Sequence, residues 1–410
     1  MIKGKFIKYI LSFILMRIKE VNARVVLDSR KEETIEVLIK TNSGIFSASS
    51  PSGKSKGKFE TPAFVGSVEE CINKIVNLSS KISEIEINEF KDLVEIEKIA
   101  DKNVIGANSL FALETAILKA LSLEQGKELW QIINEKSSKF PFPVGNCIGG
   151  GLHTRTFNFL KPDFQEFLII PKTRNFFDNV FLMNKAWELI GKRLKLRRAL
   201  GELNDENAFG TSLGNEEALG VLDKTREELS DEGKVDIGID AASSSFFTGL
   251  LYNYKNPIRK IGKDEQLAYM KSLIQKYRLG YVEDAFYEED FLSFAELRKE
   301  IAKERACLIV GDDLTASQIA RFRQALLKRS VNAIIVKPNQ NGSLIEVKKI
   351  IDAARKYEVA TIMSHRSGET LDYSLADFAF GFQADFIKTG IKGREREIKL
   401  NRLLEIEKSF

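Results

Sequence analysis

A chain of 410 residues, 43% hydrophobic and 29% charged, has apolar material for a sizeable core, and its length points to two domains. Its 62 lysines and arginines against 58 acids leave a net charge of +4, and no basic run carries interleaved aromatics, which argues against a nucleic-acid partner. The cysteines, Cys71, Cys147 and Cys307, are scattered without metal-ligand spacing; this argues against a structural zinc or a disulfide framework and suits a reducing cytosol.

The opening MIKGKFIKYILSFILMRIKE joins a basic start to an apolar run over residues 9–16. That run is too short to span a bilayer, and no small-residue cleavage site follows it. Residues 1–15 therefore read as an extension ahead of Met16, itself a candidate start, with a peripheral membrane anchor as the alternative. Residues 16–139 read as an α+β unit. ARVVLDS, TIEVLIKT and GIFSASS are strand-like, PSGKSKGK is a Gly/Ser/Lys loop, and the pattern turns helical from Val68. Apolar residues recur at helical spacing in NSLFALETAILKALSLEQG, and the two prolines of PFPVGN mark a boundary. SGKSKGKF lacks the spacing of a phosphate-binding P-loop, and GNCIGGG is no dinucleotide fingerprint.

Residues 140–410 follow another rhythm, in which short apolar runs end in an ionisable residue and an amphipathic helical segment follows each. KVDIGID ends at Asp240, LGYVED contains Glu283, CLIVGDD reaches Asp312, AIIVK ends at Lys337, ATIMSH at His365 and DFIK at Lys388. Strands alternating with helices predict a parallel sheet with helices outside. An open doubly wound sheet would gather its ligand groups at one switch point, whereas a β/α barrel collects them from every strand end in turn. The predicted class is α/β, a TIM-like barrel preceded by a smaller α+β domain.

If Asp240, Glu283 and Asp312 meet at the barrel mouth, each pair about 4 Å apart repels by roughly 4 kcal/mol at an effective dielectric near 20. Taken singly, such an acid caps a helix or pairs with a surface lysine; three on consecutive strand ends raise each other's pKa or recruit a cation. An all-oxygen set favours a hard divalent ion, Mg²⁺ first and Mn²⁺ second. Lys337 and Lys388 end buried runs and would project among those acids, where a desolvated lysine can act as a base. Arg366 offers a planar fork suited to phosphate or carboxylate. Together they point to an anionic, phosphorylated substrate and to proton abstraction next to a carboxylate.

These residues lie in motifs that resemble the enolase family. The strongest are SHRSGET (364–370), GDDLT (311–315), VKPNQ (336–340), IKTG (387–390) and FQEF (164–167), with DSR (28–30) and PSG (51–53) in the amino-terminal half. The resemblance runs from Arg24 to the end. It implies an α+β domain on a modified, enolase-type barrel, and dehydration of 2-phospho-D-glycerate to phosphoenolpyruvate with two Mg²⁺ ions, in glycolysis and gluconeogenesis. It further implies that Asp240, Glu283 and Asp312 bind the tighter metal, that Lys337 removes the C2 proton, and that Glu206 in NDEN helps the C3 hydroxyl leave. Glu166 becomes a second active-site glutamate and His153 a loop histidine. Ser364, His365, Arg366 and Ser367 hold the substrate, with the arginine on its phosphate and Lys388 on its carboxylate. Ser52 reaches the second metal from a lid loop. A cytoplasmic homodimer or homo-octamer without stable membrane insertion is the expected form.

Several positions depart from the family pattern. GDEGG is Asn204-Asp205-Glu206-Asn207-Ala208, which keeps the acid and loses glycines that permit tight turns. PSGASTG is PSGKSKG, adding Lys54 and Lys56; SRGNPT is SRKEET, EDPF is EDAF, and Glu395 replaces a serine. They leave a second reading open, a homologue of the same fold acting on another acid or serving as a binding scaffold.

Overall fold

The computed structural model describes residues 16–53, 57–152, 154 and 160–410. The extension 1–15, the loop lysines Lys54 and Lys56, and His153 lie outside the described residues. Three antiparallel strands come first, β1 (Glu20–Leu27), β2 (Glu33–Lys40) and β3 (Ile45–Ser49), in that spatial order. Val21, Ala23, Ile35, Val37, Ile39 and Ala48 supply the buried face of this sheet. The helix Ala107–Glu124 packs on β2 and β3 and meets the rest of the molecule on its other side, so nearly every residue along it is buried. It starts at Gly106, whose φ is +86° and where a Cβ would lie 2.4 Å from the Ala63 carbonyl oxygen.

The remaining strands are β4 (Phe142–Gly149), β5 (Glu166–Pro171), β6 (Leu200–Leu203), β7 (Phe209–Thr211), β8 (Val235–Asp240), β9 (Tyr252–Lys255), β10 (Ile258–Ile261), β11 (Tyr281–Glu283), β12 (Leu308–Gly311), β13 (Ala333–Val336), β14 (Ala360–Ser364) and β15 (Phe386–Lys388). Eight of them close a barrel in the order β4-β5-β8-β11-β12-β13-β14-β15, with β15 returning to β4. The β6–β7 hairpin hangs on β4, and β9–β10 form a separate ribbon. From β8 round to β4 every pairing is parallel, as the strand–helix rhythm predicts. The exception is β5, antiparallel to both β4 and β8.

Side-chain alternation explains how an apolar barrel acquires a polar mouth. Val144, Leu168, Ile170, Tyr281, Val310, Ala333, Ile335, Ile362 and Phe386 form one cluster of buried side chains from seven of the barrel's strands. Two residues beyond a cluster member, on the same face of its strand, stand Asn146, Glu283, Asp312, Lys337, Ser364 and Lys388. Asp240 follows Gly238, whose missing side chain makes room for Tyr281; a Cβ there would lie 2.7 Å from the tyrosine Cβ. Because β5 runs backwards, its first residue, Glu166, arrives at the same mouth and pairs with Asp240 in register. The same sheet periodicity therefore builds the apolar plug and the ring of ionisable groups above it.

One acid cements the two halves. Glu114, on the helix Ala107–Glu124, is fully buried and accepts the Leu344 N–H at 2.7 Å, at the start of the barrel helix Leu344–Lys356. Burial first and the neighbouring Glu97 second hold its carboxyl well above the usual range, while Lys102 pulls the other way. A folded pKa above the unfolded one contributes stability that is complete below about pH 4.3 and is lost as pH rises through the folded value. Glu114→Gln, which mimics the protonated acid, is expected to cost less than about 1 kcal/mol near pH 6 and to flatten the alkaline loss. Urea melts of both proteins from pH 6 to 9 check this; parallel curves would contradict it.

Candidate active site

Above the apolar plug opens a cleft lined among others by Glu166, Glu206, Asp240, Asp284, Asp312, Asp313, Lys337, Ser364, His365, Arg366, Ser367 and Lys388. Lys388 stands at its floor. Its Nζ lies 2.9 Å from Glu166 Oε2, 3.2 Å from Asp240 Oδ2 and 3.0 and 2.9 Å from the two oxygens of Glu283. Burial would lower its pKa, but Glu166, Glu283 and Asp240 more than offset this and hold the ammonium well above its ordinary value. Those acids lie in the opposite situation. Burial pushes Glu166 and Glu283 up to about 8 and Asp240 up to about 6, despite the lysine. The Tyr281 hydroxyl donates to Glu283 Oε2 at 2.5 Å from beneath.

Across the cleft Lys337 pairs with Asp312. Burial alone would lower the Lys337 pKa; Asp312 overrides it and keeps the ammonium charged, while Asp312 itself is held below the usual carboxylate range by Lys337. The expected trio of acids is thus divided between two lysines, with Asp240 and Glu283 on Lys388 and Asp312 on Lys337. Asp312 instead lies with Asp284 and Asp313, whose ligand oxygens come within 4.8 Å of one another. Asp284 also accepts the backbone N–H groups of Asp312 at 3.0 Å and Asp313 at 2.8 Å, fixing the turn after β12.

The donor set suits a hard cation. Glu166, Glu206, Asp240, Glu283, Asp284, Asp312 and Asp313 outnumber Lys337, Lys388 and Arg366, and all ligand atoms are oxygens. Asp312 Oδ1 is buried and has no hydrogen-bond partner among the described residues, a costly state that a cation relieves. Of the three strand-end acids, Asp240 and Glu283 share Lys388, and Asp312 stands with Asp284 and Asp313 in a cluster of oxygens that could hold such an ion.

His365 is buried, and burial first and Arg396 second keep its pKa well below the ordinary value, so the ring is neutral. Arg396 Nη1 lies 2.9 Å from Nδ1. A guanidinium can only donate, so Nδ1 accepts and the proton sits on Nε2. Arg396 also donates to the carbonyls of Arg366 and Ser367, both at 2.8 Å, and so shapes the whole loop after β14. The Ser364 hydroxyl donates to the His365 carbonyl at 3.1 Å.

Glu206 is buried, and its Oε2 accepts from Asn146 Nδ2 at 3.2 Å. Its turn survives the loss of glycines for a local reason. Asn207 takes φ +59°, a conformation asparagine tolerates better than most residues, and Asn204 Oδ1 accepts the N–H groups of Glu206 and Ala208 at 2.9 and 3.0 Å. Ser52 is held elsewhere: its backbone bridges to Gly368, its hydroxyl donates to Asp28, and its neighbour Gly53 is the one that lines the cleft.

Comparison with known proteins accounts for both halves. Residues 137–410 match the family model described as Enolase, C-terminal TIM barrel domain, and residues 18–133 match Enolase, N-terminal domain. The chain belongs to the enolase family. It is similar to the enolase of Archaeoglobus fulgidus, 34% identical over 96% of this chain and 97% of that one. It is also similar to the enolases of Methanocorpusculum labreanum, 36% identical over 97% and 100%, and Sulfurisphaera tokodaii, 35% identical over 96% of both. Within this enolase-family chain, sequence reasoning passes over Asp284, Asp313, Arg396 and Glu60. The first two stand inside recognisable motifs, next to the acids that the strand ends single out. Arg396 carries a weaker signal, a basic residue in the first turn of the helix after β15.

Proposed function

We propose that this enolase-family protein removes water from 2-phospho-D-glycerate to give phosphoenolpyruvate. The observation that supports it best is the placing of Lys337 and Glu206 on one cleft with Lys388 at its floor. Lys337 takes the C2 proton, the C2–H electron pair passes into the substrate carboxylate, and the C3–O bond then breaks as Glu206 gives that oxygen a proton. Water and the enol phosphate result. Lys388 faces the carboxylate that gains charge, Arg366 the phosphate, and Ser364, His365, Ser367 and Glu166 border the carbon chain, with His153 completing the set. Lys337 is a base only when Asp312 is drawn off it, because the pair keeps the ammonium charged. Asp240, Glu283 and Asp312 would hold one Mg²⁺, which Mn²⁺ can replace, and Ser52 would serve a second ion once its hydroxyl leaves Asp28. Bound dications supply positive charge to the carboxylate oxygens as they become more negative; this pairing of metal and base is the established pattern of enolase-superfamily sites.

Among the described residues no helix is long and apolar enough to cross a membrane. A cytoplasmic homodimer or homo-octamer in glycolysis and gluconeogenesis fits this reading. The test is the growth of enol-phosphate absorbance when purified protein meets 2-phosphoglycerate and Mg²⁺, with chelation abolishing it. Mg²⁺ titrated calorimetrically near pH 6.5 in buffers of differing ionisation heat should release protons, because Glu166 and Glu283 sit at about 8 without it. Binding of metal and substrate without turnover would favour the scaffold reading instead.

A further inference from the structure

Arg366, assigned above to the substrate phosphate, already holds an anion. Its Nη2 donates to Glu60 Oε1 at 3.2 Å and Oε2 at 3.0 Å, and both side chains are at least nine-tenths buried. Glu60 lines the same cleft, and the Gly57 N–H donates to its Oε1 at 2.8 Å. On the other side of the guanidinium, Gly53 packs so closely that a Cβ there would stand 1.9 Å from Nη2. The arginine is therefore closely packed, with both oxygens of a carboxylate on its Nη2.

We propose, building on the reaction assigned above, that Glu60 is a resident anion of the phosphate subsite and that an incoming phosphoryl group binds by displacing it from Arg366. A carboxylate and a phosphoryl group both present anionic oxygens to a guanidinium N–H, so the two compete for Nη2. Glu60 supplies a negative charge beside the buried guanidinium until a phosphoryl group takes over that role. The consequence is selectivity by charge. A monoanionic group meets a rival of equal charge, whereas a dianionic phosphoryl group outcompetes it. The displacement also lowers apparent affinity, since ligand binds only the fraction of molecules in which Glu60 has swung away.

The experiment is a calorimetric titration of the full chain, loaded with Mg²⁺, with inorganic phosphate, alongside steady-state kinetics on 2-phosphoglycerate. Glu60→Gln keeps the shape and removes the charge; phosphate should bind about tenfold tighter and KM should fall in step. Glu60→Asp keeps the charge and should stay within about threefold of the parent, and Glu60→Ala must move phosphate affinity in the same direction as Glu60→Gln. Unchanged or weaker phosphate binding in the uncharged variants overturns the proposal and leaves Glu60 as a group that merely orients Arg366. Should the parent fail to dehydrate 2-phosphoglycerate, the assigned reaction falls, while the phosphate titration still decides the role of Glu60.

Discussion

Lys337→Ala is expected to lower kcat by roughly 10²–10⁴, the usual contribution of a positioned general base, while 2-phosphoglycerate still binds. The lysine directly follows β13, two residues beyond Ile335, and only Asp312 partners its ammonium in a salt bridge among the described residues. Its removal takes away the base proposed for C2 and leaves the arginine and the second lysine in place. Exchange of the C2 hydrogen with deuterated solvent separates this from a general loss of structure. The parent should exchange, Lys337→Ala should not, and Glu206→Gln should exchange without completing dehydration. Exchange persisting in Lys337→Ala would show that another group is the base.

Lys388→Met is expected to destabilise the metal-free protein by about 3–5 kcal/mol near neutral pH, the range seen when one partner of a buried ion pair is removed. The lysine meets Glu166, Asp240 and Glu283 at once, all buried, and a methionine fills the space without the charge. Those acids already have raised pKa values, and without the lysine they rise further. An acid whose folded pKa is raised loses its contribution as pH climbs, so the deficit should shrink at pH 5 and grow toward pH 8. Millimolar Mg²⁺ should restore much of the lost stability, since a dication among the same oxygens replaces the missing charge. Urea melts with chelator and with Mg²⁺, at both pH values, measure all of this. A variant as stable as the parent in chelator would mean that the acids tolerate burial without a cation.

Much of this site is legible in the chain because a strand that ends at a barrel mouth leaves a written mark. An apolar residue, a gap of one and then an ionisable residue recur at Ile335–Lys337, Val310–Asp312 and Phe386–Lys388. What the pattern cannot carry is direction. Nothing in EFLIIP reveals that β5 runs antiparallel, so the geometric reason for Glu166 reaching Asp240 appears only in the folded register. Groups on loops are equally silent. Glu60 lies on the long connection after β3, where facing is set by tertiary contacts and no periodicity helps. The exchange of glycines for Asn204 and Asn207 looks like damage in sequence; in space it is a different way to make one turn.

The helix Ala107–Glu124 has a bearing on how this protein could ever be divided. Buried on both flanks, it belongs to the sheet and to the barrel equally, and Glu114 and Asn108 reach barrel residues. A barrel expressed from residue 140 onward would carry a bare, greasy trench along its side, prone to clumping. A foreign module put in place of either half would have to bury the same helix.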